Sequence, residues 1–434
     1  MQTKAKEKIN IVTLGCAKNL VDSEVLMTQL KGNKKDVFHQ REDINPDIVI
    51  INTCGFIDKA KQESIDTILK HAKEKEDGII KKLYVTGCLS ERYKDDLKTD
   101  IPEVDGFYGT RDLPELLKNF EAKYRNELLG DRIITTDSHY AYLKISEGCD
   151  RPCSFCAIPL MRGRHVSKPI EQIILEAKNL VRNGVREIML IAQDSTYYGI
   201  DIYKKRAMSE LLKKLSDVEG LDWIRIHYAY PAGFPMDIIE VMRERDNICN
   251  YLDIPLQHGS TNMLKIMKRG ITREKTDELI KNIRDINPEI ALRTTLIAGH
   301  PGETERDFQE MYDFVERSQF DRLGIFTYSH EEGTSAHKLE DDVPEQVKRS
   351  RSNKIMALQQ KISIEKNKNK VGKTVKVLVD RVDANNYYGR TEQDSPEVDN
   401  EVIIPSKEMH LRVGDFYDVK ITDSKEYDLI GKVD

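Results

Sequence analysis

The chain alternates short apolar runs with longer amphipathic ones. Three β-branched runs, residues 9–14, 47–51 and 82–85, each precede a polar, helix-prone stretch. That reads as βαβαβα and predicts a parallel sheet with flanking helices. From residue 141 the alternation continues with a longer period. Strands are expected at 141–145, 187–191, 223–227, 251–254, 292–297 and 323–327, separated by helices such as 170–182, 236–245, 273–286 and 304–317. Six such units are two short of a full (β/α)8 barrel, so a partial (β/α)6 TIM-like barrel is expected, closed on its open side by something else. Residues 344–370 read as a charged, solvated helix that leads into a linker. Alternating segments at 374–379, 402–404 and 417–421 then predict a small, roughly five-stranded β-barrel. The expected fold is α/β: a parallel α/β domain at 1–130, the partial barrel at 131–343, a helical linker at 344–370 and the small β-barrel at 371–434.

Composition narrows the function. With 39% hydrophobic and 33% charged residues over 434 positions, the chain reads as soluble and multidomain. It has no apolar run approaching the ~20 residues that span a bilayer, and the lysine-rich start lacks the apolar core of a secretory signal. A cytoplasmic location with reduced cysteines is expected. The formal net charge of −6 argues against a large nucleic-acid footprint, which is normally basic. Residues 371–434 carry fourteen Asp and Glu against nine Lys and Arg. The run Glu392 to Glu401 is the acidic centre of that domain. It reads either as a solvated surface or as a docking face for a basic protein partner.

The seven cysteines carry the chemistry. Cys149, Cys153 and Cys156 are spaced Cys-x3-Cys-x2-Cys on the loop after the first barrel strand, which is the functional face of such barrels. Closed structural zinc sites and ferredoxin clusters each use four ligands. Three thiolates therefore suggest a cubane with one iron open, or a zinc site completed by His165 or a distant carboxylate. Cys16, Cys54 and Cys88 follow the three N-terminal strands at separations of 38 and 34 residues. The carboxyl ends of parallel strands line the ligand crevice, so these thiols should converge as a second incomplete set, the alternative being inert core thiols. Cys249 has no partner in the pattern. Asp22 and Ser23 are open between helix caps and site residues. His258 and His300, on polar loops of the barrel face, read as hydrogen-bonded loop histidines.

At these residues the chain resembles a known family. Cys149-x3-Cys153-x2-Cys156 before a partial barrel is similar to the radical S-adenosylmethionine enzymes. Cys16, Cys54 and Cys88 narrow the resemblance to the methylthiotransferases, and the last domain looks like a TRAM module, an OB-like barrel. Leu14-Gly15-Cys16-Ala17-Lys18-Asn19-Leu20-Val21-Asp22-Ser23-Glu24, Ser146 to Pro159 and Ile254-Pro255-Leu256-Gln257-His258 resemble the RimO branch. Ala17 and Lys18 depart from the Gly-Cys-Gln-Met-Asn of the sister MiaB branch, which modifies transfer RNA.

The resemblance implies two 4Fe-4S clusters and S-adenosylmethionine. The cofactor would be chelated by the open iron of the Cys149/Cys153/Cys156 cluster and cleaved on reduction to a 5′-deoxyadenosyl radical. That radical would take hydrogen from the β-carbon of an aspartate in small-subunit ribosomal protein S-twelve, met on the ribosome. The Cys16/Cys54/Cys88 cluster would hold the sulfur transferred, and a second S-adenosylmethionine would supply the methyl group. By resemblance Phe155 lies beside the adenine; Gln193 and Arg293 are candidate cofactor-pocket residues from their expected positions at strand ends. The implied partners are the ribosomal protein, met through the acidic TRAM domain, and a reductant such as a flavodoxin or ferredoxin, for a monomer that needs no membrane. The competing readings are methylthiolation of isopentenyladenosine in transfer RNA and a non-catalytic two-cluster electron carrier.

Overall fold

The computed structural model of the chain describes residues 7–128, 130–406 and 410–433; part of the lysine-rich start lies outside the described residues. The N-terminal sheet contains β1 (Lys8–Thr13), β2 (Asp36–His39), β3 (Ile48–Thr53), β4 (Lys82–Gly87) and β5 (Gly106–Phe107). They run parallel in the order β2-β1-β3-β4-β5. The order reverses direction between β1 and β3, and such a switch point leaves a crevice at the carboxyl ends of the two strands. The three central strands are the expected ones; β2 and β5 are short additions at the edges.

The central sheet holds β6 (Tyr140–Lys144), β9 (Glu187–Ile191), β10 (Trp223–Ile226), β11 (Ile248–Asp253), β12 (Ala291–Ala298) and β13 (Arg322–Thr327), with a small β7/β8 ribbon (Ser146–Glu147, Val166–Ser167) beside it. All six strands are parallel and lie in sequence order, β13-β12-β11-β10-β9-β6. Successive side chains point to opposite faces of a strand. Ile188 and Leu190, Ile224 and Ile226, and Ile248 and Leu252 enter the main core with the outer helices. The alternate positions on the inner face include Glu187, Arg225, Tyr251 and Arg293, so this face carries charged groups among apolar ones such as Trp223 and Ala291.

The helix Glu345–Lys368 departs from the expected solvated linker. Ile355, Leu358 and Ile362 join the main core, and Arg351 donates to the Glu303 carboxylate at 2.8 Å. The helix covers the edge strand β13, a protection that exposed sheet edges need. Its charged composition concealed a narrow apolar stripe.

The last domain is a closed five-stranded barrel of β14 (Thr374–Val382), β15 (Asn386–Arg390), β16 (Val402–Pro405), β18 (Leu429–Val433) and β17 (Phe416–Ser424). It packs on the inner face of the central sheet, where Trp223, Cys249, Tyr251 and Ala291 meet Leu378 and Phe416. The acidic run is turned toward the chain's own arginines, contrary to the expected docking face. Asp394 accepts from Arg322 Nε at 2.9 Å, and Asp399 from Arg293 Nε at 3.2 Å and the Tyr251 hydroxyl at 2.7 Å. Glu392 accepts from the Asn250 backbone, Glu397 from the Tyr140 hydroxyl, and Glu401 from Arg381. All five carboxylates of the run are thus engaged within the chain. Arg390 adds a pair to Glu187 at 2.8 Å. Buried charges persist only when paired, and composition alone could not reveal that the partners lie inside the barrel.

Candidate functional site

Cys16, Cys54 and Cys88 lie just past the carboxyl ends of β1, β3 and β4. Cys16 is the N-cap of the helix Ala17–Gly32 and makes no side-chain cap bond; Cys88 opens the helix Cys88–Asp100. Helix N-termini favour thiolate character. The loops are drawn together by Asn19, whose amide donates to the Leu14 carbonyl at 2.8 Å and the Thr53 carbonyl at 3.0 Å. Ser64 exchanges hydrogen bonds of 3.0 Å with both the N–H and the carbonyl of Cys54. Gly15 has φ +91°, and a Cβ there would stand 2.7 Å from Cys54 Cβ and 2.9 Å from its Sγ. Only glycine lets the first loop approach the second.

The second set sits on the loop after β7. Gly148, at φ +79°, would drive a Cβ to 2.1 Å from the Arg164 carbonyl oxygen, so the entry to this loop also requires glycine. Cys149 N–H donates to Gly163 O at 3.0 Å, and Ser154 N–H to Met267 O at 3.0 Å. Arg269 Nη1 lies 3.2 Å from Cys153 Sγ. The Tyr230 ring is flanked by Arg269 at 4.3 Å and Arg151 at 4.1 Å from its centroid, and Arg151 is anchored on Asp194 at 2.7 Å.

A charged network joins the two sets. Arg162, 1% exposed, ends the short helix Ile158–Arg162 that follows Cys156. Its Nε donates to Cys88 Sγ at 3.3 Å, and its Nη1 to Asp22 at 2.7 Å and Glu147 at 3.0 Å; Nη2 donates to Asn19. Lys144 donates to Glu147 at 2.6 Å and to Asp22. Burial alone would raise the Glu147 carboxyl, but Lys144 and Arg162 outweigh it and hold the group at about 2. Gln193, two residues past β9, donates its amide to Glu147 at 2.9 Å, while its Oε1 is buried and without a partner. Further contacts seat the N-terminal domain on the barrel: Lys18 Nζ stands 3.3 Å over the Tyr228 ring, and Lys61 and Arg92 reach Glu331 at 3.1 and 2.7 Å.

Burial pushes the thiols of Cys88 and Cys156 up to about 12 and that of Cys149 to about 11, and raises Cys54. Each is a neutral thiol until a metal displaces its proton. Within each set the thiols lie close enough that ionising one would disfavour ionising the next. Among the described residues no three Cys, His, Asp or Glu side chains close on a single ion; a cubane spreads three thiolates over three irons. The donor chemistry, three soft sulfurs with a guanidinium on one of them in each set, fits an iron–sulfur cluster.

Of the other expected site residues, Phe155 is half-buried, its ring 6.5 Å edge-on from His300. Arg293 differs from its expected place at a strand's end. It is third of eight residues in β12, and its guanidinium is held by Asp253 and Asp399. His258 accepts from the Ser260 N–H, His300 bonds the Pro301 carbonyl, and His165 meets the Ser167 hydroxyl. Cys249 lies apart, buried with Trp223 and Tyr251. Asp22 acts in the network, whereas Ser23 accepts from the Thr13 hydroxyl at 2.7 Å and the Asn52 amide at 3.0 Å. The sequence reading assigned no role to Arg162, Arg269, Tyr230 or Glu147. Glu147 and Arg162 flank the cysteine loop closely enough to have been flagged, whereas Tyr230 and Arg269 carried no local signal.

The partial barrel and its three-thiol loop are those of the radical S-adenosylmethionine enzymes. Residues 143–315 match the Radical SAM superfamily model, residues 8–109 the model described as Uncharacterized protein family UPF0004, and residues 371–433 the TRAM domain. The fold is similar to that of the radical S-adenosylmethionine methyltransferase TsrM from Kitasatospora setae (TM-score 0.54, 14% identity, 74% of this chain and 75% of that one). It is also similar to the cobalamin-dependent radical enzyme OxsB (TM-score 0.52, 13% identity, 82% and 56%). Proteins named ribosomal protein uS12 methylthiotransferase RimO are much nearer. The chain is 60% identical to that of Cytophaga hutchinsonii over 99% of this chain and 98% of the relative, and 58% identical to that of Christiangramia forsetii over 100% and 96%. The chain belongs to the RimO methylthiotransferase family.

Proposed function

We propose that this chain transfers a methylthio group to the β-carbon of an aspartate in ribosomal protein uS12, the protein that its relatives' names state. In this reading Cys149, Cys153 and Cys156 hold one 4Fe-4S cluster and Cys16, Cys54 and Cys88 a second. Each leaves one iron for an outside ligand, S-adenosylmethionine at the first and the sulfur to be transferred at the second. When bound, these groups supply an electron and a radical reactive enough to take hydrogen from an unactivated carbon, chemistry that no side chain offers.

The chain's own residues bind and orient. Phe155 offers a ring face to the adenine. The unpartnered Gln193 Oε1 offers an acceptor to the cofactor, with its amide pinned by Glu147. Arg293 is left to the domain clamp. Lys18, Lys61 and Arg92 hold the N-terminal domain over the barrel. The observation that carries the reading is the hydrogen bond from Arg162, six residues past Cys156, to Cys88 of the other thiol set, in a chain with full-length RimO relatives. Among the described residues no helix is long and apolar enough to cross a membrane. The reading places the protein in the cytoplasm with the ribosome, as a monomer fed electrons by a flavodoxin or ferredoxin.

The test is anaerobic reconstitution followed by incubation with S-adenosylmethionine, a reductant, and either ribosomes or transfer RNA. About eight irons per chain and a methylthio adduct on a uS12 aspartate, read by mass spectrometry, are expected. Zinc in place of iron, or modification of transfer RNA alone, overturns the reading.

A further inference from the structure

One guanidinium from the barrel completes the sulfur environment of the other domain. Arg162 is carried six residues past Cys156, yet its Nε points at Cys88 Sγ, 3.3 Å away. Three further bonds, to Asn19, Asp22 and Glu147, fix both other nitrogens, so the group has one orientation. With Lys144 it forms a quartet of two cations and two carboxylates. The quartet is neutral as a whole, but only one of its charges touches a cysteine sulfur.

We propose that Arg162 is a positioning residue of the N-terminal site, setting the reduction potential of the cluster on Cys16, Cys54 and Cys88 through its hydrogen bond to Cys88. The inference rests on the proposed cluster set. Hydrogen bonds and net charge at the ligating sulfurs set cluster potentials, because reduction adds negative charge that a nearby cation stabilises. Arg162 is almost free of water, so its field on the sulfur is little screened. Removing the cation leaves the quartet net negative, and removing one carboxylate leaves it net positive. The two changes must therefore shift the potential in opposite directions. The same bond makes this potential depend on the docked barrel, since the guanidinium at Cys88 comes from the barrel.

The experiment uses the full chain with Cys149, Cys153 and Cys156 changed to Ala, so that only the N-terminal cluster is reconstituted, and an EPR-monitored redox titration. Arg162→Gln is expected to lower the reduction equilibrium constant at least tenfold, 59 mV for one electron. Arg162→Lys keeps the charge and recovers part of the shift, and Asp22→Asn moves the potential the opposite way. In the mirror background with Cys16, Cys54 and Cys88 changed to Ala, Arg162→Gln leaves the barrel cluster's potential in place. Should Arg162→Gln lose its iron, the Asp22→Asn shift decides. No shift in either variant, or shifts of the same sign, overturns the inference while leaving the proposed function standing. A chain that takes zinc and no iron overturns both.

Discussion

The turn after the first strand comes so near Cys54 that no side chain fits between them. A methyl group at Gly15 would meet both Cys54 Cβ and Sγ below 3 Å, on a backbone at φ +91°. Gly15→Ala is expected to cost about 1–2 kcal/mol for the left-handed conformation, and more for the displaced loop. Its diagnostic effect is on metal: iron should fall from about eight toward about four per chain, with the Cys149/Cys153/Cys156 site still loaded. Iron analysis beside a thermal melt checks this. The six clustered cysteines were legible because spacing and strand position are local properties. Arg162 was not, since Cys88, Asp22 and Asn19 lie 74, 140 and 143 residues away. Arg293 was misplaced because a run of apolar residues does not say which end of the strand a polar one occupies.

Among the elements, the acidic run of the terminal barrel has the largest energetic stake. Asp394, 2% exposed, accepts from Arg322 and from Thr391 Oγ1 at 2.6 Å. Asp394→Asn leaves Arg322 buried with its charge unmatched, a loss of about 3–5 kcal/mol for a broken buried pair. Denaturant melts should show the loss, and limited proteolysis should cut the terminal barrel before the rest. Replacing both partners with apolar residues is expected to recover most of it. The run's charge was legible, but its direction was not. The signal lay in the arginines at inner-face positions of β10, β12 and β13, which need counter-charges from somewhere. The short edge strands β2 and β5 escaped notice because four and two residues carry too little periodicity.

Over the whole molecule, the central strands and the expected barrel followed from alternation alone, because a parallel sheet is built from repeated local units. Which residues join the domains was not legible, since those contacts link distant positions. Their pH response can be given a sign. Burial pushes Glu187, Asp253, Asp380 and Asp394 up, yet each is held below the usual range. Arg390 and Arg225 face Glu187, His227 and Arg293 face Asp253, Arg390 and His139 face Asp380, and Arg322 and Lys370 face Asp394. A carboxylate depressed in the folded state stabilises fully above its unfolded value and loses that contribution as pH falls through the folded one. The seam between barrel and terminal domain is therefore expected to hold down to about pH 4 and to part below it. The chain's single tryptophan, Trp223, packs 4.7 Å edge-on against Phe416 of the terminal domain, so its fluorescence reports the event.

That seam also limits how the gene can be recombined. The carboxylates lie in the last domain and their arginines in the barrel strands, with the helix Glu345–Lys368 between them. A terminal domain from another protein, even one with the same five-stranded topology, would arrive without the matching anions, leaving Arg322 without Asp394 and Arg293 with Asp253 alone. Chimeras that change substrate preference by exchanging this domain must move the barrel's inner-face arginines with it, so the two segments behave as one heritable part.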